Sequence, residues 1–141
     1  MYLQIPILAM SHLYSYEAQL LNVVDGDTYD FQVDLGFNTY KRLRVRLLEV
    51  DTAEIYGVKM ESKEYKRGQR QKEFVSDNLN SADKIVLKTY EGEETGKYGR
   101  YLAEVFVDDK SLSDLLIDNF EELSSTEKQS YGLLIEDKKG K

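Results

Sequence analysis

The 141 residues are 41% apolar and 32% charged, enough for one domain with its own hydrophobic core. With no cysteine and a single histidine, His12, the chain has no thiol chemistry, no disulfide and no multi-histidine zinc site, so a bound metal would be held by oxygen, as calcium or magnesium is. The net charge of −7 argues against a protein that coats nucleic acid, yet residues 41–72 carry ten basic against five acidic side chains, which suits a focused polyanion site.

In chain order, Leu3–Met10 is apolar but too short to span a membrane. It lacks the basic leader and small-residue cleavage site of a signal peptide, which favours a cytoplasmic location over a secreted one. Met10 is an alternative start. Gln19–Val24 and Tyr29–Leu35 read as strands on either side of an Asp-Gly turn signal. Gly36-Phe37-Asn38 turns the chain into a third strand, Tyr40–Leu48. There Leu43, Val45 and Leu47 alternate with Arg42, Arg44 and Arg46, so one face is core and the other cationic. The alternation fails at Leu47-Leu48, where a bulge or burial on both sides is expected.

Glu64–Leu79 is rich in helix formers, with Phe74, Val75 and Leu79 as its apolar stripe. Lys84–Tyr90 and Arg100–Val107 are predicted strands, and Ser111–Phe120 a helix with Leu112, Leu115, Leu116 and Phe120 at helical spacing. Ser125–Leu134 has the composition of a short third helix, and the chain is expected to fray from Lys138. The division expected is an N-terminal extension over 1–13, one domain over 14–123 and a tail over 124–141. Three strands, a helix, two strands and a helix make an α+β chain: a five-stranded OB-type Greek-key β-barrel with an inserted helix and a C-terminal helix. A monomer without membrane segments is expected.

Three motifs carry candidate chemistry. Asp25-Gly26-Asp27-Thr28 reads as a tight hairpin turn whose Gly supplies positive φ, or as a turn aiming Asp27 at a cation. Asp51-Thr52-Ala53-Glu54 reads as a helix cap, or as a second acid and a base beside that cation. Gly96-Lys97-Tyr98-Gly99-Arg100 reads as a hairpin loop with exposed cations, or as part of a phosphate grip together with Arg46. Each bland reading is comfortable alone. Acid, base and phosphate-binding groups at connected strand ends fit better together, because catalytic groups collect on loops held by a rigid scaffold.

The order and spacing of Asp-Gly-Asp-Thr (25–28), Arg-Leu-Leu-x-Val-Asp-Thr-x-Glu (46–54) and Lys-Tyr-Gly-Arg-x-Leu-Ala (97–103) resemble the staphylococcal nuclease, or thermonuclease, family over about residues 19–120. The resemblance implies an OB barrel and calcium-dependent hydrolysis of DNA and RNA, with magnesium as the alternative ion. By position it implies Asp27 and Asp51 as metal ligands with the Thr52 carbonyl, and Glu54 as general base. Arg46 and Arg100 match the grip on the scissile phosphate, and Lys97 and Tyr98 match contacts to a neighbouring phosphate. It further implies a DNA or RNA substrate cut at the 5′-oxygen bond, leaving a 3′-phosphate; we expect that substrate to be single-stranded or frayed.

The chain departs from the family pattern in several places. Ala53 stands where a proline is usual, which is expected to loosen the turn that aims Glu54. The aromatic residues that support the nucleotide base have no clear counterpart, although Tyr131 falls in that region. The long C-terminal helix is shortened or missing, and the chain is acidic where familiar secreted members are basic.

The chemistry of the residues agrees with the implied activity. A divalent ion on Asp27 and Asp51 would neutralise phosphate charge, Glu54 would activate water, and the planar forks of Arg46 and Arg100 would hold phosphate oxygens. Two readings compete. One is a non-catalytic OB module binding single strands through Tyr29, Tyr40, Tyr98 and Tyr101. The other is a protein-interaction domain derived from the nuclease fold, which predicts decay of an acid–arginine set that is here complete.

Overall fold

A computed structural model describes residues 13–90 and 100–123. Six strands are present among them: β1 (Ser15–Asp25), β2 (Thr28–Asp34), β3 (Tyr40–Leu47), β4 (Ile85–Lys88), β5 (Tyr101–Val107) and the two-residue β6 (Lys110–Ser111). Helix α1 (Lys63–Ser81) lies between β3 and β4, and α2 (Leu112–Asn119) follows β6.

The sheet runs β3-β2-β1-β4-β5-β6 and closes through a parallel pairing of β3 with β5, Val45 opposite Tyr101 and Leu47 opposite Ala103. The result is the expected five-stranded barrel with an inserted helix and a C-terminal helix. Closure removes free strand edges and makes the sheet rigid enough to hold loop residues in place. Its interior holds Tyr29, Phe31, Val45, Leu47, Leu87 and Val105, all at most 2% exposed. Val75 and Leu79 of α1 and Leu112 and Leu116 of α2 extend that core. Phe74 and Phe120 meet edge to face at 5.4 Å, joining the two helices.

The helices begin where local chemistry satisfies their first amides. Ser62 caps α1 by accepting from the Tyr65 N–H, and Ser111 caps α2 by accepting from the Asp114 N–H. The predicted Ser111–Phe120 helix therefore comprises its two caps and the helix between them.

Several boundaries differ from the sequence expectation. β1 starts at Ser15, four residues before Gln19, because Ser15–Ala18 pair with Ile85–Lys88 of β4. Register shifts at Leu20/Asn22 and Val23/Asp25 break its alternation, leaving Leu21 46% exposed, so pattern alone misses its true length. β4 stops at Lys88, two residues short of Tyr90. The small strand β6 is an addition, formed by a tight turn in which Asp108 and Asp109 both take positive φ. At Leu47-Leu48 both side chains are buried, followed by Glu49 at φ 83°, so the chain is covered on both sides as it leaves β3. The suggested helix over Ser125–Leu134 and the fraying from Lys138 lie outside the described residues, as does His12.

Candidate active site

The site forms where the β1–β2 turn meets the segment leaving β3. In the turn, Asp25 Oδ1 accepts the Asp27 N–H at 3.1 Å, which bends the backbone and turns Asp27 inward. Asp27 is 6% exposed; its Oδ2 accepts the Thr52 N–H at 3.0 Å and its Oδ1 accepts the Thr28 hydroxyl at 3.2 Å. Gly26 is not among the positive-φ glycines, which corrects the expectation for this turn. What requires glycine is space, since a Cβ there would lie 2.8 Å from the Thr52 side chain. Turn and segment are thus packed against each other and bonded through Asp27.

Arg46 ends the cationic face of β3, but unlike its exposed neighbours Arg42 and Arg44 it is only 8% exposed. Its Nη1 donates to the carbonyls of Leu47 and Val50, which fixes the plane of the guanidinium. Its Nη2 lies 3.0 Å from Asp51 Oδ1 and 3.5 Å from Asp27 Oδ2. Arg46 therefore bridges the two acids matched to metal ligands. Arg100, at the entry to β5, donates from Nη1 to the Thr28 hydroxyl at 3.3 Å, and that hydroxyl donates to Asp27.

Glu54 is exposed and faces the same group of charges. Partial burial, then the charges of Asp27, Asp51 and Glu64, push its carboxyl above the usual range, while Arg100 pulls it down. Asp51 is likewise raised by burial, against the lowering charge of Arg46 and with Asp27 raising it further. Burial and Asp27 push Asp25 up to about 7. Asp25, Asp27, Asp51 and Glu54 thus gather near Arg46 and Arg100, and the raised values of Asp25, Asp51 and Glu54 record burial first and the repulsion of neighbouring acids second.

That excess fits a hard divalent cation. The donors would be the Asp27 and Asp51 carboxylates with the Thr52 carbonyl, all oxygen, which suits calcium or magnesium. Asp27 and Asp51 would be the charged ligands, with the remaining coordination positions left to water or substrate.

The structure brings together Asp27, Asp51, Thr52, Arg46, Glu54 and Arg100. Lys97 and Tyr98 lie outside the described residues. Two residues escaped the sequence reading. Gln71 of α1 is fully buried and its Oε1 accepts the Ala53 N–H at 2.8 Å, so the turn expected to be loosened is tied to the helix. Gly68 lies on the same helical face. The signal was available, because 68, 71, 75 and 79 are spaced three and four apart.

The family model described as staphylococcal nuclease homologue matches residues 44–120. An uncharacterized protein of Methanocaldococcus jannaschii is 32% identical over 122 residues, covering 77% of this chain and 55% of that protein. The chain thus spans about half the length of that curated relative.

Proposed function

The chain belongs to the staphylococcal nuclease family, and we propose that it is a divalent-cation-dependent nuclease hydrolysing phosphodiester bonds of DNA or RNA. The observation that supports this most is Arg46 Nη2 placed between Asp27 and Asp51, with the Glu54 carboxylate electrostatically coupled to both acids and to Arg100.

A calcium ion on Asp27 and Asp51, with magnesium as the alternative, would supply charge neutralisation at a phosphate oxygen. The chain's own residues do the rest. Asp25 and Thr52 hold Asp27 in place. The carbonyls of Leu47 and Val50 orient Arg46 so that its Nη2 edge faces the site, where it donates to an equatorial phosphate oxygen as charge builds. Arg100, steered by the Thr28 hydroxyl, donates to a second phosphate oxygen. Glu54 takes a proton from the attacking water, and its raised pKa makes it a stronger base than a free glutamate. The substrate that goes with this reading is single-stranded or frayed nucleic acid.

A non-catalytic nucleic-acid-binding module is the second reading. It is favoured by the engagement of Arg46 with Asp51 and two carbonyls. Incubation of the protein with single-stranded DNA and RNA, in calcium, magnesium or chelator, separates the two. Cleavage in calcium that chelator abolishes is expected. Cleavage in excess chelator would overturn the metal-dependent mechanism, and binding without cleavage would establish the second reading.

A further inference from the structure

We propose that Gln71 is a positioning residue, holding through the Ala53 N–H the turn that presents Glu54. The proposal rests on the reading of Glu54 as the base. Residues 50–55 form no helix or strand, so their amides have no ladder partners, and between buried Val50 and Ile55 the segment is fixed by specific contacts. The Thr52 N–H goes to Asp27 and the Ala53 N–H to Gln71 Oε1 at 2.8 Å. These two consecutive anchors immediately precede Glu54 and tie it to the acid pair on one side and to α1 on the other.

The helix side of this contact is poorly explained by stability alone. Gln71 is fully buried, and among the described residues its Nε2 has no hydrogen-bond partner, whereas an apolar side chain would fill the place without an orphaned donor. One turn earlier stands Gly68, a residue that weakens helices. A Cβ at Gly68 would fall 2.4 Å from Ile55 Cγ2, 2.8 Å from the Ala53 carbonyl oxygen and 3.2 Å from that of Glu54. The helix thus presents a gap and an acceptor, side by side, to the two residues that set the direction of Glu54. Gly68 lowers the helix propensity of α1 and Gln71 leaves a buried donor unsatisfied, and both serve the same turn.

The test compares the wild type with Gln71→Leu, Gln71→Met and the double variant Gln71→Leu/Ala53→Pro, which removes the donor that Gln71 serves. Cleavage of single-stranded DNA in calcium gives kcat and KM; melting temperature and amide exchange at residue 53 are measured on the same proteins. Loss of the acceptor is expected to lower kcat by about 10- to 100-fold, the size of effect that a misplaced reacting group produces, with KM within about threefold. The Ala53 amide should lose protection, and melting should hold or rise. The double variant should lose no more kcat than Gln71→Leu alone, since both changes break the same bond. Wild-type kcat in the folded single variants, or a further loss in the double variant as large as that of Gln71→Leu itself, would overturn the proposal. Gln71→Met keeps the test decisive where Gln71→Leu fails to fold. Should the wild type itself not cleave, the nuclease reading falls, while exchange at Ala53 still decides the positioning role: an unprotected amide in the wild type would overturn it.

Discussion

Asp30 on β2 and Arg44 on β3 stand opposite each other in register; two residues along β3, Arg46 stands opposite Thr28, beside Asp27. The first pair makes two bonds, at 2.7 and 3.1 Å, with half of the Arg44 side chain in water, and the arginine holds Asp30 below the usual carboxylate range. The second pair is about nine-tenths buried and sits at 3.5 Å, in a neighbourhood where Asp25, Asp51 and Glu54 are all pushed upward. The same two residue types, on β3 and on β2 or the turn that leads into it, thus give a closed, neutral pair in one place and an anionic cluster in the other. Burial and the number of neighbouring acids decide which, since an arginine facing one carboxylate in water satisfies it, while two facing four do not.

The comparison breaks most sharply at Glu54. Glu54→Gln keeps the shape but removes the basic oxygen, and cleavage should fall by about 10²- to 10⁴-fold with nucleotide affinity within a few-fold and melting nearly unchanged. A helix cap would give the opposite pattern, and near-normal cleavage by this variant would end the case for Glu54 as base. Next in size, Arg46→Lys and Arg100→Lys should each lower turnover by about 10²- to 10³-fold, because the charge stays but the planar fork is lost. Arg46→Lys should also lower the melting temperature, through its bonds to Leu47 and Val50. Arg42→Lys and Arg44→Lys should leave turnover unchanged. Equal effects at all four positions would replace the site with a diffuse basic face.

A smaller effect concerns pH. Asp25 has a folded-state pKa of about 7 against an ordinary 3.8, so the folded protein holds that proton more tightly. Its contribution to stability is complete below about 3.8 and is lost as pH rises through about 7. In metal-free protein, Asp25→Asn should therefore gain melting temperature over the wild type as pH rises across that window; a constant difference would contradict the crowding. Smallest of all, Asp30→Asn should cost about 0.2–1 kcal/mol of stability by chemical denaturation, less in high salt, and leave cleavage intact.

The sequence made the barrel and much of the site legible for identifiable reasons. Leu43, Val45 and Leu47 keep strict alternation along β3, and Asp-Gly marks a real turn, so strand order could be reasoned from local signals. β1 was misjudged because its bulges place Leu21 outward amid apolar neighbours. The glycine of the turn was read for its φ, whereas its role is to admit Thr52, a contact between residues 26 apart that no local pattern encodes. Gln71 hid for a related reason: within a helix rich in Lys, Arg and Glu, a glutamine reads as solvent-facing until its register with Val75 and Leu79 is counted.

The central claim is that the anionic cluster around Arg46 is a divalent-cation site and the Asp30–Arg44 pair is not. Calcium titration by calorimetry of the wild type, Asp51→Asn and Asp30→Asn tests it most directly. The account predicts that wild type and Asp30→Asn bind one ion alike and that Asp51→Asn binds markedly more weakly, having lost an anionic ligand. Absence of binding in the wild type, or the same affinity in all three proteins, would contradict it.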